Sequence, residues 1–166
     1  MGSGASGKDE KKESGGGTLV HNRKARFDYH ILETYEAGIV LRGTEVKSIR
    51  AHHAHLEESF ARIDAGELYL YNFHIDPYEH GNRENHDPIR KRKLLLHKHE
   101  VKKLMGEVSQ KGLTLVPLTV YLKHGKVKVG LALAQGKKKG DKREAIRERS
   151  ADREARTAMK TRQQRY

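Results

Sequence analysis

Histidine is the first side chain here that could do chemistry. Eleven are present, and two clusters, His52-His53-Ala54-His55 and His97-Lys98-His99-Glu100, set several imidazoles close together. Imidazoles so placed can ligate a transition metal or move protons. Neither cluster has the His-Glu-x-x-His spacing that puts two ligands and a base on one helical face. Lysines crowd the second cluster and would repel a cation. Glu36 and Glu45 could imitate an acid–base pair, but lone carboxylates more often accept hydrogen bonds. There is no cysteine, hence no thiolate nucleophile, disulfide or Cys-based zinc site. A Gly-x-x-x-x-Gly-Lys-Ser/Thr loop and a Gly-x-Ser-x-Gly elbow are also missing. The residues thus give no reason to expect a metal, a cofactor, a small-molecule substrate or an enzyme.

What remains is cationic chemistry. Thirty-four Lys and Arg stand against 22 Asp and Glu, a formal net charge of +12 in 166 residues. From Gly136 to Tyr166 there are twelve basic and five acidic side chains, so this stretch supplies +7 of that charge. Its entry, Gly136-Lys137-Lys138-Lys139-Gly140-Asp141-Lys142-Arg143, reads as a flexible cationic hinge. Charge that lopsided on a segment poor in apolar residues calls for a polyanion, and nucleic acid is the expected partner. A membrane is not expected as a partner. No apolar run approaches the roughly 18 residues of a span, no apolar signal-peptide core opens the chain, and the basic tail lacks an insertable apolar face. Absence of cysteine fits a reducing compartment, and the expected location is cytoplasmic.

The second loaded stretch is Ile89-Arg90-Lys91-Arg92-Lys93-Leu94-Leu95-Leu96. In one reading the leucines enter the core and the cations project to a phosphate ribbon. In the other it is a solvated strand edge guarded by charge. The sequence leaves both open.

Elements must hold these residues in place. Residues 1–17 carry no large apolar side chain beyond Met1 and read as a disordered extension. Alternating Phe27, Tyr29 and Ile31, then Ala37, Ile39 and Leu41, predict one long strand, or two broken near Tyr35-Glu36, with Gly38 marking a bend or a close neighbour. Thr44 offers an N-cap to a short helix bearing Val46 and Ile49. Segments 59–63 and 68–75 flank Asp64-Ala65-Gly66-Glu67 and predict a hairpin, with Tyr69, Tyr71 and Phe73 read as sheet packing rather than as a stacking platform for bases. Residues 76–88 read as a long loop. Val101, Leu104, Met105 and Val108 fall on one helical face, and Gly112 ends that helix. Two more strands follow, the first interrupted by Pro117, joined by the tight turn Lys123-His124-Gly125-Lys126. Sequential hairpins with few helices predict a mainly β fold, a small antiparallel barrel.

Several segments in one order resemble a known family. Glu36-Ala37-Gly38-Ile39, Gly43-Thr44-Glu45-Val46-Lys47-Ser48-Ile49-Arg50, His86-Asp87-Pro88, Arg92-Lys93-Leu94-Leu95-Leu96, Gly136-Lys137-Lys138 and Asp141-Lys142-Arg143 are similar to small protein B, the tmRNA-binding (SsrA-binding) family of bacterial trans-translation. The resemblance runs from Asn22 into the tail. It implies an oligonucleotide-binding (OB) type barrel with peripheral helices and a long basic C-terminal tail. It also implies a non-enzymatic adaptor that binds the tRNA-like domain of tmRNA and brings it to stalled ribosomes. By motif, Asn22, Glu36, Leu95 and Lys126 fall where the family engages or supports RNA. Arg23, Arg26, Gly38, Arg90, Arg92, Lys93, Lys128 and Gly136 complete the candidate RNA-binding set. Lys137, Lys138, Lys139, Asp141, Lys142, Arg143, Arg147, Arg149, Met159 and Lys160 form the candidate ribosome-binding tail, directed at the decoding centre and the rRNA of the mRNA channel. The family often carries His or Tyr just before Asp-Lys-Arg, where this chain has Gly140, so no base stacking is assigned to the tail.

The expected division is therefore 1–17 as extension, 18–135 as the tmRNA-binding barrel, and 136–166 as a tail disordered when free and helical on the ribosome. Asp141, with Glu144 three residues on, marks a helix start of the capping-box kind. The thin stripe of Ala155 and Met159 predicts no docking of that helix on its own barrel. The alternative function is a general RNA- or single-strand-binding barrel without tmRNA specificity, and a histidine-based nuclease is the third.

Overall fold

In the C-terminal strand of the barrel, Val129, Leu131 and Leu133 alternate with Lys128, Gly130 and Ala132, and the first set is buried. The computed structural model describes residues 17–81 and 85–163. The expected disorder of the N-terminal extension lies outside these residues except at Gly17.

Among the described residues nine strands are β1 (Thr18–His21), β2 (Tyr29–Ile39), β3 (Ala54–His55), β4 (Phe60–Asp64), β5 (Glu67–Tyr71), β6 (His74–Ile75), β7 (Arg92–Leu95), β8 (Thr114–Lys123) and β9 (Lys126–Gly136). The helices among the same residues are α1 (Ala25–Asp28), α2 (Gly43–Arg50), α3 (Lys98–Lys111) and α4 (Lys139–Gln163). The main sheet runs β1-β8-β4-β5-β7-β2-β9, and β9 pairs again with β8, so the ladder returns on itself as a barrel. Its thinnest seam is β4–β8, paired at Ala61 and Leu115. Every pairing is antiparallel, as expected. Strands β3 and β6 form a separate two-stranded sheet.

Leu68, Leu70, Leu94, Leu115, Val120, Val129 and Leu131 fill the barrel, with Ile49 of α2 and Leu104 of α3 closing on it. A second, smaller cluster of Ala25, Val116, Leu118, Ala132 and Ala134 lies on the other face of β8 and β9. Pro117 lets one strand serve both clusters. The register of β8 against β9 shifts between Pro117 and Thr119, so Leu115 and Val120 point inward while Val116 and Leu118 join the second cluster. An extra residue in a strand re-aims every side chain after it.

Several boundaries differ from the sequence expectation. Phe27 is not in the long strand, since residues 25–28 turn through α1 first. The long strand itself is continuous, with a register shift between Ile31 and Glu33. The strand from Leu68 stops at Tyr71 because Asn72 takes a left-handed φ of 56°, which turns the chain toward β6. Helix α2 starts at Gly43 rather than after Thr44, and Glu45 accepts the Arg42 amide at 2.9 Å. Gly112 ends α3 at φ 61°, as its type predicts. No helix among the described residues is long and apolar enough to cross a membrane.

Helix α4 begins two residues before Asp141. Asp141 is its third residue, and its Oδ2 accepts the Lys138 amide at 3.2 Å. A carboxylate there satisfies a free N–H and meets the positive end of the helix dipole.

Candidate nucleic-acid interface

The hairpin β8–β9 turns at His124 and Gly125, both with positive φ (51° and 75°), which matches the strand twist of a two-residue turn. That register sets Lys123 opposite Lys126 and Tyr121 opposite Lys128. On the other side of β9, Gly38 of β2 faces Lys128 and Glu36 faces Gly130. Gly38 in turn pairs with Leu95 of β7. Period-2 geometry therefore gathers Glu36, Gly38, Leu95, Tyr121, Lys123 and Lys128 on one outer face, with Lys126 at its rim.

Both glycines shape that face. A Cβ on Gly38 would lie 3.3 Å from Leu95 Cβ, and one on Gly130 would lie 2.6 Å from Thr119 Oγ1. Gly38 thus makes room for Leu95, which is half exposed, and Gly130 makes room for Thr119 beside Tyr121. Glu36 is the anchor. It accepts from the Tyr121 hydroxyl at 2.5 Å and from Lys123 Nζ at 3.2 Å. The Tyr121 hydrogen bond, with help from Lys123 and Lys128, holds the Glu36 carboxyl below its ordinary value despite some burial. Burial, and then Glu36 itself, pushes the Tyr121 hydroxyl well above its ordinary range. Glu36 is therefore ionised at neutral pH and Tyr121 stays a donor to it. Lys126 and Lys128 form no ion pair among the described residues and remain available to phosphates.

A second group lies around the barrel on β4, β5 and β7. Lys93 pairs with Glu67 at 2.9 Å, and Tyr69 donates to the same carboxylate at 2.9 Å. Lys91 Nζ lies 4.6 Å from the Tyr69 ring centre, and Arg62 lies 5.0 Å from that of Tyr71. The three aromatics of this segment part company: Phe73 is buried as expected, while Tyr69 and Tyr71 stand on the outer face.

Two candidates in the RNA-binding set, Arg92 and Arg90, are corrected. Arg92 does not project outward. It is fully buried, its Nε donating to Glu45, its Nη1 to the Phe73 carbonyl and its Nη2 to the Pro88 carbonyl at 3.3 Å. Arg90 turns to the same carboxylate, with Nε 3.1 Å from Glu45 Oε1. Burial raises the Glu45 pKa, but the hydrogen bonds from Arg90, the Arg42 amide and Arg92 outweigh it and hold the group below its ordinary value. Burial lowers the Arg92 guanidinium. A buried charge is tolerated when it is paired and fully hydrogen-bonded, and Arg92 meets that condition here rather than at a phosphate. Asn22 is buried too. Its Nδ2 donates to the Pro117 carbonyl at 2.9 Å and the Leu56 carbonyl at 3.3 Å, and its Oδ1 accepts the Ala25 amide at 3.2 Å. It braces the β8 bulge against α1, which is the supporting one of the two roles expected of it.

Arg23, Arg26 and Gly136 sit elsewhere. Gly136 pairs with Tyr29, eight to nine residues along the ladder from the Gly38–Lys128 pair, which is roughly 30 Å at strand rise. Gly136 and Arg26, whose carbonyl accepts Lys137 Nζ at 3.1 Å, lie at the root of the tail, and Arg23 is exposed in the turn before α1. From that root Lys137 to Lys139 lead into α4, and Arg143, Arg147, Met159 and Lys160 lie along its exposed surface. Sequence reading missed Tyr121 and Lys123. The signal was present: a two-residue turn between Lys123 and Lys126 fixes which side chains share a face.

Among the described residues no group of three or more His, Asp or Glu side chains is arranged to hold a metal ion. His86, for example, is buried and bonded through Nδ1 to Thr44 Oγ1 and through Nε2 to the Ile75 carbonyl, both at 2.9 Å.

The family described as "SmpB protein" matches residues 19–161. An SsrA-binding protein of Halothermothrix orenii is 57% identical over 145 residues, 87% of this chain and 94% of its own length. That of Clostridium botulinum is 58% identical over 151 residues, 91% of this chain and 97% of its own. A solved structure described as "tmRNA-SmpB: a journey to the center of the bacterial ribosome" is 58% identical with a TM-score of 0.63, covering 79% of this chain and 96% of that one.

Proposed function

Because this chain belongs to the SmpB family, we propose that it is an RNA-binding adaptor that holds the tRNA-like domain of tmRNA and delivers it to stalled ribosomes in trans-translation. The observation that carries this reading at the level of geometry is the outer face of β2, β9 and β8. There, Gly38 makes room for a half-exposed Leu95, and the cations Lys123, Lys126 and Lys128 lie on the same face. Folded RNA is recognised through shape, phosphates and 2′-hydroxyls, and a cationic face with an exposed apolar side chain at its centre suits that target. Glu36 acts as the organiser of this face, holding Tyr121 and Lys123 in place. Lys91, Lys93 and the tyrosines beside them extend the cationic belt around the barrel. In this reading the protein performs no catalysis, and it works with the ribosome in the cytoplasm. The tail carries the second half of the task, contacting rRNA at the decoding centre and along the mRNA channel through the cations of α4.

Fluorescence anisotropy against three RNAs tests this reading: the tmRNA tRNA-like domain, an ordinary tRNA and an unstructured RNA of equal length. The expected result is a clear preference for the first. Affinity should fall with log salt at a slope of roughly −0.9 per neutralised phosphate in regular duplex, and it should be unchanged by EDTA while the RNA stays folded. Equal affinity for all three would overturn the adaptor reading in favour of a general RNA binder.

A further inference from the structure

Two histidines far apart in the sequence meet on the small sheet. His55 of β3 stands directly opposite His74 of β6, and their ring centres are 5.9 Å apart. Ala54 and Ile75, the other pair of this ladder, are both buried, so the period of two puts both imidazoles on the outer side. His55 is exposed and His74 partly so. Asp76 follows His74 by two residues and shares its side, and its Oδ1 accepts from His74 Nε2 at 2.8 Å. A neutral imidazole that donates through Nε2 keeps its lone pair on Nδ1, and a carboxylate bonded to one ring nitrogen makes the other a better metal ligand. The backbone beneath the pair is held on both strands. After β3, the Leu56 carbonyl accepts from Asn22 Nδ2 at 3.3 Å and from the Ser59 amide at 2.9 Å. At β6, the Ile75 amide donates to the Pro88 carbonyl at 3.0 Å, His86 Nε2 donates to the Ile75 carbonyl at 2.9 Å, and the Asp76 amide donates to the His53 carbonyl at 3.0 Å. Helical spacing is the wrong test for this pair, because on a ladder the neighbour that matters lies across the strands.

We propose that His55 and His74 form a surface binding site for a zinc-class divalent cation, with Asp76 as the positioning residue of His74. Imidazole suits zinc, copper and nickel. With metal–nitrogen distances of about 2.0–2.1 Å, two imidazoles on one tetrahedral ion have ring centres roughly 5 Å apart. The observed pair is close to that separation, and side-chain rotation of the exposed His55 closes the difference. No three His, Asp or Glu side chains among the described residues converge on one point, so water completes the coordination shell and the site exchanges its ion with solvent. A cation held there clips the chain before β4 to the chain after β5. Such a clip stabilises the folded protein in proportion to the free metal, because a ligand that binds only the native state shifts the folding equilibrium toward it. His55, His74 and Asp76 lie on none of the strands β2, β7, β8 and β9 that form the RNA face. The site therefore goes beyond the adaptor reading and does not rest on it.

Equilibrium urea unfolding of the full-length protein, followed by far-UV circular dichroism in zinc chloride, magnesium chloride or EDTA, tests the site. The chain has eleven histidines, and once unfolded they too can take zinc, so only a native site that outbids them raises the midpoint. Zinc should raise it above the EDTA value, and magnesium, which prefers oxygen ligands, should not. His55→Ala and His74→Ala should each remove the rise. His99→Ala, from the other histidine cluster, should leave it at wild-type size. Asp76→Asn should keep the rise but move the zinc concentration that gives half of it upward by about tenfold. The EDTA midpoint of His55→Ala should equal that of wild type, since His55 is exposed; if His74→Ala proves unstable in EDTA, His55→Ala alone decides. A midpoint that zinc leaves unmoved overturns the site. A rise that survives His55→Ala overturns it as well, because the ion is then held elsewhere.

Discussion

Arg92→Met separates two accounts of the most basic internal stretch. In the structure the guanidinium is fully buried, and it donates to Glu45 and to the Phe73 and Pro88 carbonyls, with the Phe73 ring 5.5 Å away. Methionine fills much of the volume but donates nothing. It leaves Glu45 in the interior with Arg90 and the Arg42 amide alone, and it leaves the Phe73 carbonyl without this donor. Breaking a buried pair from one side costs about 3–5 kcal/mol, against the roughly 5–15 kcal/mol that holds a domain together. With a urea dependence of about 1–3 kcal/mol per M, the unfolding midpoint should fall by roughly 2 M. The assay is equilibrium urea unfolding followed by far-UV circular dichroism, with tmRNA binding measured under conditions where the variant is still folded. There its affinity and salt slope should match wild type, because the side chain never reaches the RNA. Glu45→Gln should also destabilise, and the double variant should lose less than the sum of the two, since residues in contact couple by about 0.5–3 kcal/mol. A phosphate ligand behaves in the opposite way: the salt slope shrinks by about 0.9 and stability moves within about 0.5 kcal/mol. That second pattern would refute the buried-pair account.

Three other outcomes are expected. Glu45 has a folded pKa held below its ordinary 4.5, so its contribution to stability is present above that value and lost as pH falls through the folded pKa; acid unfolding of wild type should show this loss below pH ~4.5 and Glu45→Gln should lack it. Glu36→Arg removes the acceptor of Tyr121 and Lys123 and should weaken tmRNA binding by about tenfold, ~1.4 kcal/mol, although it adds positive charge; tighter binding in the anisotropy assay would mean that bulk charge governs this face. Truncation after Lys138 spares β9 and the Lys137 contacts with α1, so thermal unfolding and most tmRNA affinity should persist while tagging of stalled peptides in a reconstituted translation system is lost; tagging by the truncated chain would dissolve the division between barrel and tail.

The barrel was legible because its signals are local. Alternation in 127–133, the turns at Asp64–Glu67 and Lys123–Lys126, and the helical spacing of Val101, Leu104 and Val108 each follow from a few neighbouring residues. Arg92 was not legible for a related reason. Once a strand starts, its period of two sends Arg92 and Leu94 to one side and Lys93 and Leu95 to the other, and a slip of one residue exchanges the sets. The run Arg90 to Leu96 offers cations and leucines at both parities, so it cannot choose between them. What chooses is Glu45, whose carboxylate arrives from a helix 47 positions earlier in the chain. Without that counter-charge an inward Arg is forbidden, and with it the inward Arg ties α2, β7 and the loop after β6 together. Asn22 has the same character, with partners at Leu56 and Pro117 that are 34 and 95 residues away.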